Sequence, residues 1–257
     1  PVENPNRMKL ALQYAKNFGA LLISHCEDKA LGNGGVMNEG YWSTMLGLKG
    51  SSRAAEDVMA ARELLLAETY DGRIHIAHIS TEGTVELLRQ AKKRGVRATG
   101  ETCPHYFSAT DAWCRDYDTN CKMHPPLRTE RDVAAILEGL ADGTIDCIAT
   151  DHAPHHIDEK NVEFELALNG IVGFETAFSL AVSNLILPGV LTPGQLVERM
   201  SCRPAEILGL PGGILEEGGA ADLCIGDPNA RITYTADMLH SKSRNTPFLD
   251  REYTGKI

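Results

Sequence analysis

Four strand-length runs, each separated from the next by a segment of helical period, constrain this chain more than any other feature. The runs are "ALLIS" (20–24), "RIHIAHIS" (73–80), "VRATGETC" (96–103) and "IDCIAT" (145–150). Between them "SSRAAEDVMAARELLLAE" (51–68), "TEGTVELLRQAKKRG" (81–95) and "TERDVAAILEGLADG" (129–143) repeat apolar residues at helical spacing. Strands joined through helices cross over and pair in parallel, with the helices outside. The class is therefore α/β, and short apolar strands fit an open sheet or a (β/α) barrel. Further helices are predicted at 6–19, which starts on Asn and stops on Gly, at 173–187, and at 192–200, which opens with Thr-Pro. "ALLIS" reads as a buried strand.

After "CRPAEILGL" the texture changes. "GGILEEGGAADLCIGDP" (212–228) has turn-rich glycines and the pattern of short alternating strands. Residues 1–211 are thus expected to form the barrel and 212–257 a small β appendage. A length of 257 allows a sizeable core, and 43% hydrophobic with 23% charged residues is ordinary for a soluble globular chain. The formal charge of −10 opposes nucleic acid or an anionic membrane as main partner. No apolar run approaches the roughly 20 residues of a membrane span. The 7 cysteines lack C-x-x-C spacing and read as free thiols of a cytosolic protein. "PVENPNRMKL" has no initiator Met and enters a helix at once, while "REYTGKI" ends on a strand pattern. The expectation is that this is the interior of a longer protein.

The strand ends carry the chemistry. His25 follows the first run, His78 closes the second, His105 follows the third and Asp151 follows the fourth. In a barrel those ends converge on one mouth. Neutral imidazole together with carboxylate suits zinc or a similar divalent ion. A single His after a strand is commonly a loop hydrogen-bond partner, and Asp favours turns and caps. Recurrence on successive strands is what favours a metal corner for His25, His78 and Asp151. His75 alternates with Ile74 and Ile76, so it lines the barrel interior or reaches the site. His156 and His240 read as structural or exposed. Cys26 lies beside His25 without a nucleophile motif, and "LGNGGVMNEG" (31–40) lacks dinucleotide-binding spacing. That segment and 155–170 are expected to be mobile loops at the mouth.

In order along the chain, "SHCED" (24–28), "HIAHIST" (75–81), "ETCPHYF" (101–107), "KMHPPLR" (122–128), "ATDHAPH" (149–155) and "GIVGFETAF" (170–178) resemble the class I bacterial dihydroorotases. These are cyclic amidohydrolases of the amidohydrolase superfamily, and the resemblance covers nearly the whole chain. It implies a (β/α)8 TIM-type barrel, partial here, with a small β-sandwich assembled from both chain ends. It also implies one or two zinc ions and the interconversion of L-dihydroorotate and N-carbamoyl-L-aspartate in pyrimidine synthesis. Carried over, His25 and His78 are metal ligands, and Asp151 is both ligand and general acid/base. His155 then contacts the substrate carboxylate, and Asn169 and Gly170 contact the ring. The family's H-x-H-x-R motif and acidic D-D-G loop are absent and would fall ahead of Pro1. His124 stands where the family usually has a substrate-binding Asn. The implied setting is a cytoplasmic homodimer acting on a small molecule. The alternatives are a hydantoinase- or allantoinase-like enzyme, or a non-catalytic relative serving as structural partner of aspartate transcarbamoylase.

Overall fold

A computed structural model describes residues 1–257. Helix α1 (Pro5–Lys16) starts on Asn4, whose side chain accepts from the backbone N–H groups of Asn6 and Arg7, with Pro5 in the first turn. Strand β1 (Leu22–Ser24) follows. Then come α2 (Ala54–Tyr70), β2 (Ile74–Ile76), α3 (Glu82–Lys93), β3 (Ala98–Thr102), α4 (Glu130–Asp142) and β4 (Cys147–Ile148). Thr81 caps α3 through Thr84 N–H, and a reciprocal Thr129–Asp132 capping box opens α4. Gly95 and Gly143 close those helices at φ of 82°, a conformation that costs glycine nothing.

The four strands form one parallel sheet in the order β1-β2-β3-β4. A single parallel bridge between His152 and Ile171 extends the arc by one more segment. Register places Ile23, His75 and Thr99 in one row on the concave face, with Glu101 opposite Cys147 one pleat further on. On the convex face Ile74 and Ile76 are fully buried in a cluster with Leu64, Leu88, Ile136 and Leu140 from the helices. Gly100 belongs to that face because a Cβ would come within 2.7 Å of Ile79 and Leu88. This is the arc of a (β/α)8 barrel with its helices outside. β1 departs from the buried strand expected: Ile23 is 57% exposed, because β1 has a sheet neighbour on one side only.

The later chain corrects the expectation at 212–228. Residues 212–226 carry no strand, and the regular structure begins with β5 (Asp227–Thr233), paired antiparallel with β6 (Glu252–Lys256). Glycine-rich alternation supplied the pattern, but these residues have no partner edge. The two-stranded sheet packs on the helix at 177–186, which widens into a π turn at Val182–Ile186. Ser179 donates to the Gly255 carbonyl, and a Cβ at Gly255 would meet Val182 at 2.7 Å. Between the strands Phe248 and Asn245 are buried, and Asn245 bonds the carbonyls of Ala153 and Gly170. Residues 234–250 therefore pack with the barrel elements.

The two expected mouth loops are largely exposed, with a few residues packed inward. Met37 and Asn38 are buried and pair in parallel with Gly50 and Ser51. In 155–170, Phe164 and Ala167 enter the core and the Lys160 side chain is buried. A lysine and an isolated phenylalanine in a polar stretch gave no periodic signal of this.

Candidate active site

His25 sits just beyond β1 and His78 just beyond β2, so adjacent strands deliver them side by side. His25 Nδ1 and His78 Nε2 are 2.7 Å apart, and the rings meet edge to face with centroids 4.6 Å apart. Burial lowers the pKa of His25 to about 4, helped by the neighbouring His78 and His124 and opposed by Glu27. Burial likewise lowers His78 to about 4. Both imidazoles are therefore neutral near pH 7, the form that ligates metal. His78 adopts φ of 38° and its buried Nδ1 has no hydrogen-bond partner. Strain and an unmet polar atom together are tolerated where a group is held for a task.

Asp151 lies beyond β4, also with positive φ, at 48°. The surrounding protein raises its carboxyl pKa, Glu101 adds to the rise and His25 opposes it, although the residue itself reaches solvent. Two neutral imidazoles, one of them with an unpartnered buried nitrogen, and a carboxylate beyond β4 of the same sheet are donor types that suit a divalent ion. The three-donor grouping found at the mouth differs from the one expected from sequence: it comprises His25, Glu27 and His124. Glu27 Oε2 lies 3.4 Å from His25 Nε2, and its Oε1 lies 2.9 Å from His124 Nε2. Burial would raise the Glu27 carboxyl, but His124 and His25 hold it below the usual carboxylate range. Glu27 was missed in sequence; its only signal was its place two residues after His25.

The remaining predicted residues form a second group. His155 Nε2–H donates to the Asn169 carbonyl at 2.8 Å, and its Nδ1 is 3.5 Å from Glu159. Gly170 has φ of 131°, and a Cβ there would come within 2.5 Å of Ala153. Only glycine fits. Asn245, which sequence reasoning also missed, holds this group through His155 N–H at 3.2 Å and the Gly170 carbonyl at 3.0 Å. Lys160 donates to the carbonyls of Lys122, Leu168 and Gly170 at 2.9–3.2 Å. His105 lies behind His78, fully buried, with its pKa lowered to about 3 by burial and then by His78. His152 stacks on Phe174 at 3.9 Å and accepts from Gly173 N–H, a structural role.

Arg128, which ends "KMHPPLR", braces the mouth from behind. It donates to Ser80 Oγ at 3.1 Å and to Asn38 Oδ1 at 3.0 Å, with Glu56 at 3.9 Å. Glu56 accepts from the Ser80 and Thr81 backbone N–H groups at 2.9 and 3.3 Å. The turn that carries His78 is thereby tied to α2 and to the Asn38 loop.

A parallel arc that gathers neutral imidazoles and a carboxylate beyond its C-terminal edge defines an α/β-barrel protein with candidate metal-binding groups at the mouth. A model of the amidohydrolase family matches residues 2–249, and the chain belongs to that family. It is 56% identical over 257 residues to a dihydroorotase of Acetivibrio thermocellus, covering 100% of this chain and 60% of the relative. It is 56% identical over 255 residues to a dihydroorotase of Geobacter metallireducens, covering 99% and 60%. The chain thus spans about 60% of the length of these curated relatives. Among solved structures it resembles an L-hydantoinase from Arthrobacter aurescens, with TM-score 0.88, 26% identity, and coverage of 98% of this chain and 58% of that one. A D-hydantoinase from Thermus sp. gives TM-score 0.86 at 25% identity, with the same coverage. No helix is long and apolar enough to cross a membrane.

Proposed function

We propose that the protein is a zinc-dependent dihydroorotase that hydrolyses the cyclic amide of L-dihydroorotate to N-carbamoyl-L-aspartate, and closes it in reverse, in pyrimidine synthesis. The observation that carries this reading is the direct meeting of two neutral imidazoles, His25 and His78, beyond adjacent strands of the sheet that also presents Asp151 beyond β4. His25, His78 and Asp151 would hold the metal, which when bound polarises the scissile carbonyl and lowers the pKa of water. Asp151 takes a proton from the attacking water and delivers it to the departing amide nitrogen. Its raised pKa suits a group that must hold that proton between the two steps. His155, Asn169 and Gly170 position the ring and its carboxylate. His124 turns Nε2 to Glu27, leaving Nδ1 to meet the substrate carboxylate. The protein would act in the cytoplasm as a homodimer, with aspartate transcarbamoylase a partner to test for.

Steady-state kinetics on full-length, metal-replete protein compare dihydroorotate, hydantoin and allantoin. Dihydroorotate should be preferred. His124→Ala should raise KM several-fold, and His124→Asn should retain activity. Preference for hydantoin would overturn the substrate, and wild-type zinc content in both His25→Ala and His78→Ala would overturn the ligand assignment.

A further inference from the structure

Beneath the mouth, the concave face of the sheet carries a second group of donors that the reading above does not use. His75 on β2, Glu101 on β3 and Cys147 on β4 place ring nitrogen, carboxylate oxygen and sulfur atoms within 4.8 Å of one another. Three adjacent strands contribute one residue each. Register makes this inevitable: His75 pairs with Thr99, and Glu101, one pleat on, pairs with Cys147. His75 and Cys147 are each only 3% exposed, and the Glu101 side chain is 21% exposed.

We propose that His75, Glu101 and Cys147 form a separate binding site for a zinc-like divalent cation inside the barrel. Zinc bond lengths of 2.0–2.3 Å put tetrahedral ligand atoms roughly 3.3–3.8 Å apart, so the cluster closes on an ion with small side-chain movements. Imidazole, carboxylate and thiolate together select a borderline-soft ion over calcium or magnesium. His75 is oriented for ligation. Its Nδ1 is 2.7 Å from the Thr99 hydroxyl, which fixes the ring and leaves Nε2, 3.1 Å from Glu101, as the ligating atom. Without an ion, burial pushes the Cys147 thiol up to about 12, and Glu101 and Asp146 add to the rise. A divalent ion reverses that balance: the S–H proton leaves to solvent as the sulfur–metal bond forms. The site would clamp β2, β3 and β4 together, fixing the strands that present His78 and Asp151. Its assignment is independent of the proposed reaction.

Cobalt titration of metal-free, full-length protein tests this, because a single thiolate on cobalt produces a near-ultraviolet charge-transfer band. The candidate centre at the mouth has no thiol, and Cys26 Sγ instead faces the Ser24 carbonyl and hydroxyl at 3.8 Å. The band should saturate at stoichiometric cobalt, disappear in Cys147→Ser and weaken in His75→Asn and Glu101→Gln. It should persist in Cys26→Ser and Cys103→Ser. In a His25→Ala/His78→Ala background, zinc should still raise Tm, and adding Cys147→Ser should remove that rise. A wild-type protein without the band, or a band that survives Cys147→Ser, would overturn the site.

Discussion

Asp146 and Asp151 flank β4, one at each end, and their surroundings are opposite in kind. Asp146 accepts from Lys92 Nζ at 2.6 Å, from Arg203 at 3.2 Å and from the Gly100 backbone N–H at 2.9 Å. It ties α3, β3 and the helix around Arg203 to the start of β4. Asp151 has positive φ, a carboxyl disfavoured in its charged form, and only longer-range attraction from His25. His78 repeats the pattern, with positive φ and a buried nitrogen left unmet. In a barrel the bottom face reads as stability and the top as chemistry. Here the difference is visible inside one strand: polar groups are satisfied where the fold is braced and left available where a ligand would complete them.

The same substitution at both ends gives the sharpest contrast. Asp151→Asn keeps shape but cannot shuttle a proton and is a weaker metal ligand. Turnover of full-length protein should fall about 10³-fold in both directions, within the range for losing a general acid/base. Robust turnover by this variant would break the assignment of chemistry to the top. Asp146→Asn should leave turnover per folded molecule near wild type but reduce stability by about 2 kcal/mol, since two cations lose a charged acceptor. Denaturant midpoints and kcat measured on the same preparations decide it. A large kcat loss without a stability loss would show that the bottom face is not merely a brace.

Lys160 tests whether the whole mouth is unsatisfied. Its amine is buried and pairs with three carbonyls around the loop that ends at Gly170. Burial, aided by Lys122, lowers its pKa to about 8. The unfolded chain then binds more protons than the folded one between about pH 8 and the ordinary 10.5. Its contribution to stability is therefore lost as pH falls through 8 and grows as pH rises through that window. Lys160→Met should flatten this rise relative to wild type in denaturant titrations at pH 7, 8 and 9. It should also raise KM several-fold by loosening Asn169 and Gly170. An unchanged slope would remove Lys160 as the titrating anchor.

How much of this was legible follows from where each residue sits. Strands and helices declared themselves through period, and His25, His78 and Asp151 stood out because they follow strand-forming runs. Glu27 gave little signal, since a glutamate in a polar loop looks solvated until the fold sets His124 beside it. Nothing in the local pattern marks Glu56, Asp111 and Arg128, yet each is buried in a network that only tertiary contact creates. Cys147 looked like filler within an apolar strand; the register of β3 with β4 is what brings it to Glu101. Strand patterning at 212–226 misled because alternation specifies a pleated face but not the edge it must pair with.

The smallest effect is the most diagnostic, because its sign opposes the one at Asp146. The folded-state pKa of Asp151 is raised, so the folded chain binds more protons than the unfolded one as pH climbs from 3.8 through that raised value. Above that window the ionised carboxylate disfavours the fold. Asparagine removes the charge and tolerates positive φ at least as well as aspartate, so no backbone cost offsets the gain. Metal-free Asp151→Asn should therefore be more stable than metal-free wild type at pH 7 by roughly 0.5 kcal/mol, since the group is open to solvent. The gain should vanish near pH 3, where both chains are neutral at this position. Adding zinc should reverse the order, because wild type binds the ion more tightly and is stabilised by that binding. Chemical denaturation with and without zinc reads both signs, and a metal-free loss of stability would mean that Asp151 braces the fold as Asp146 does.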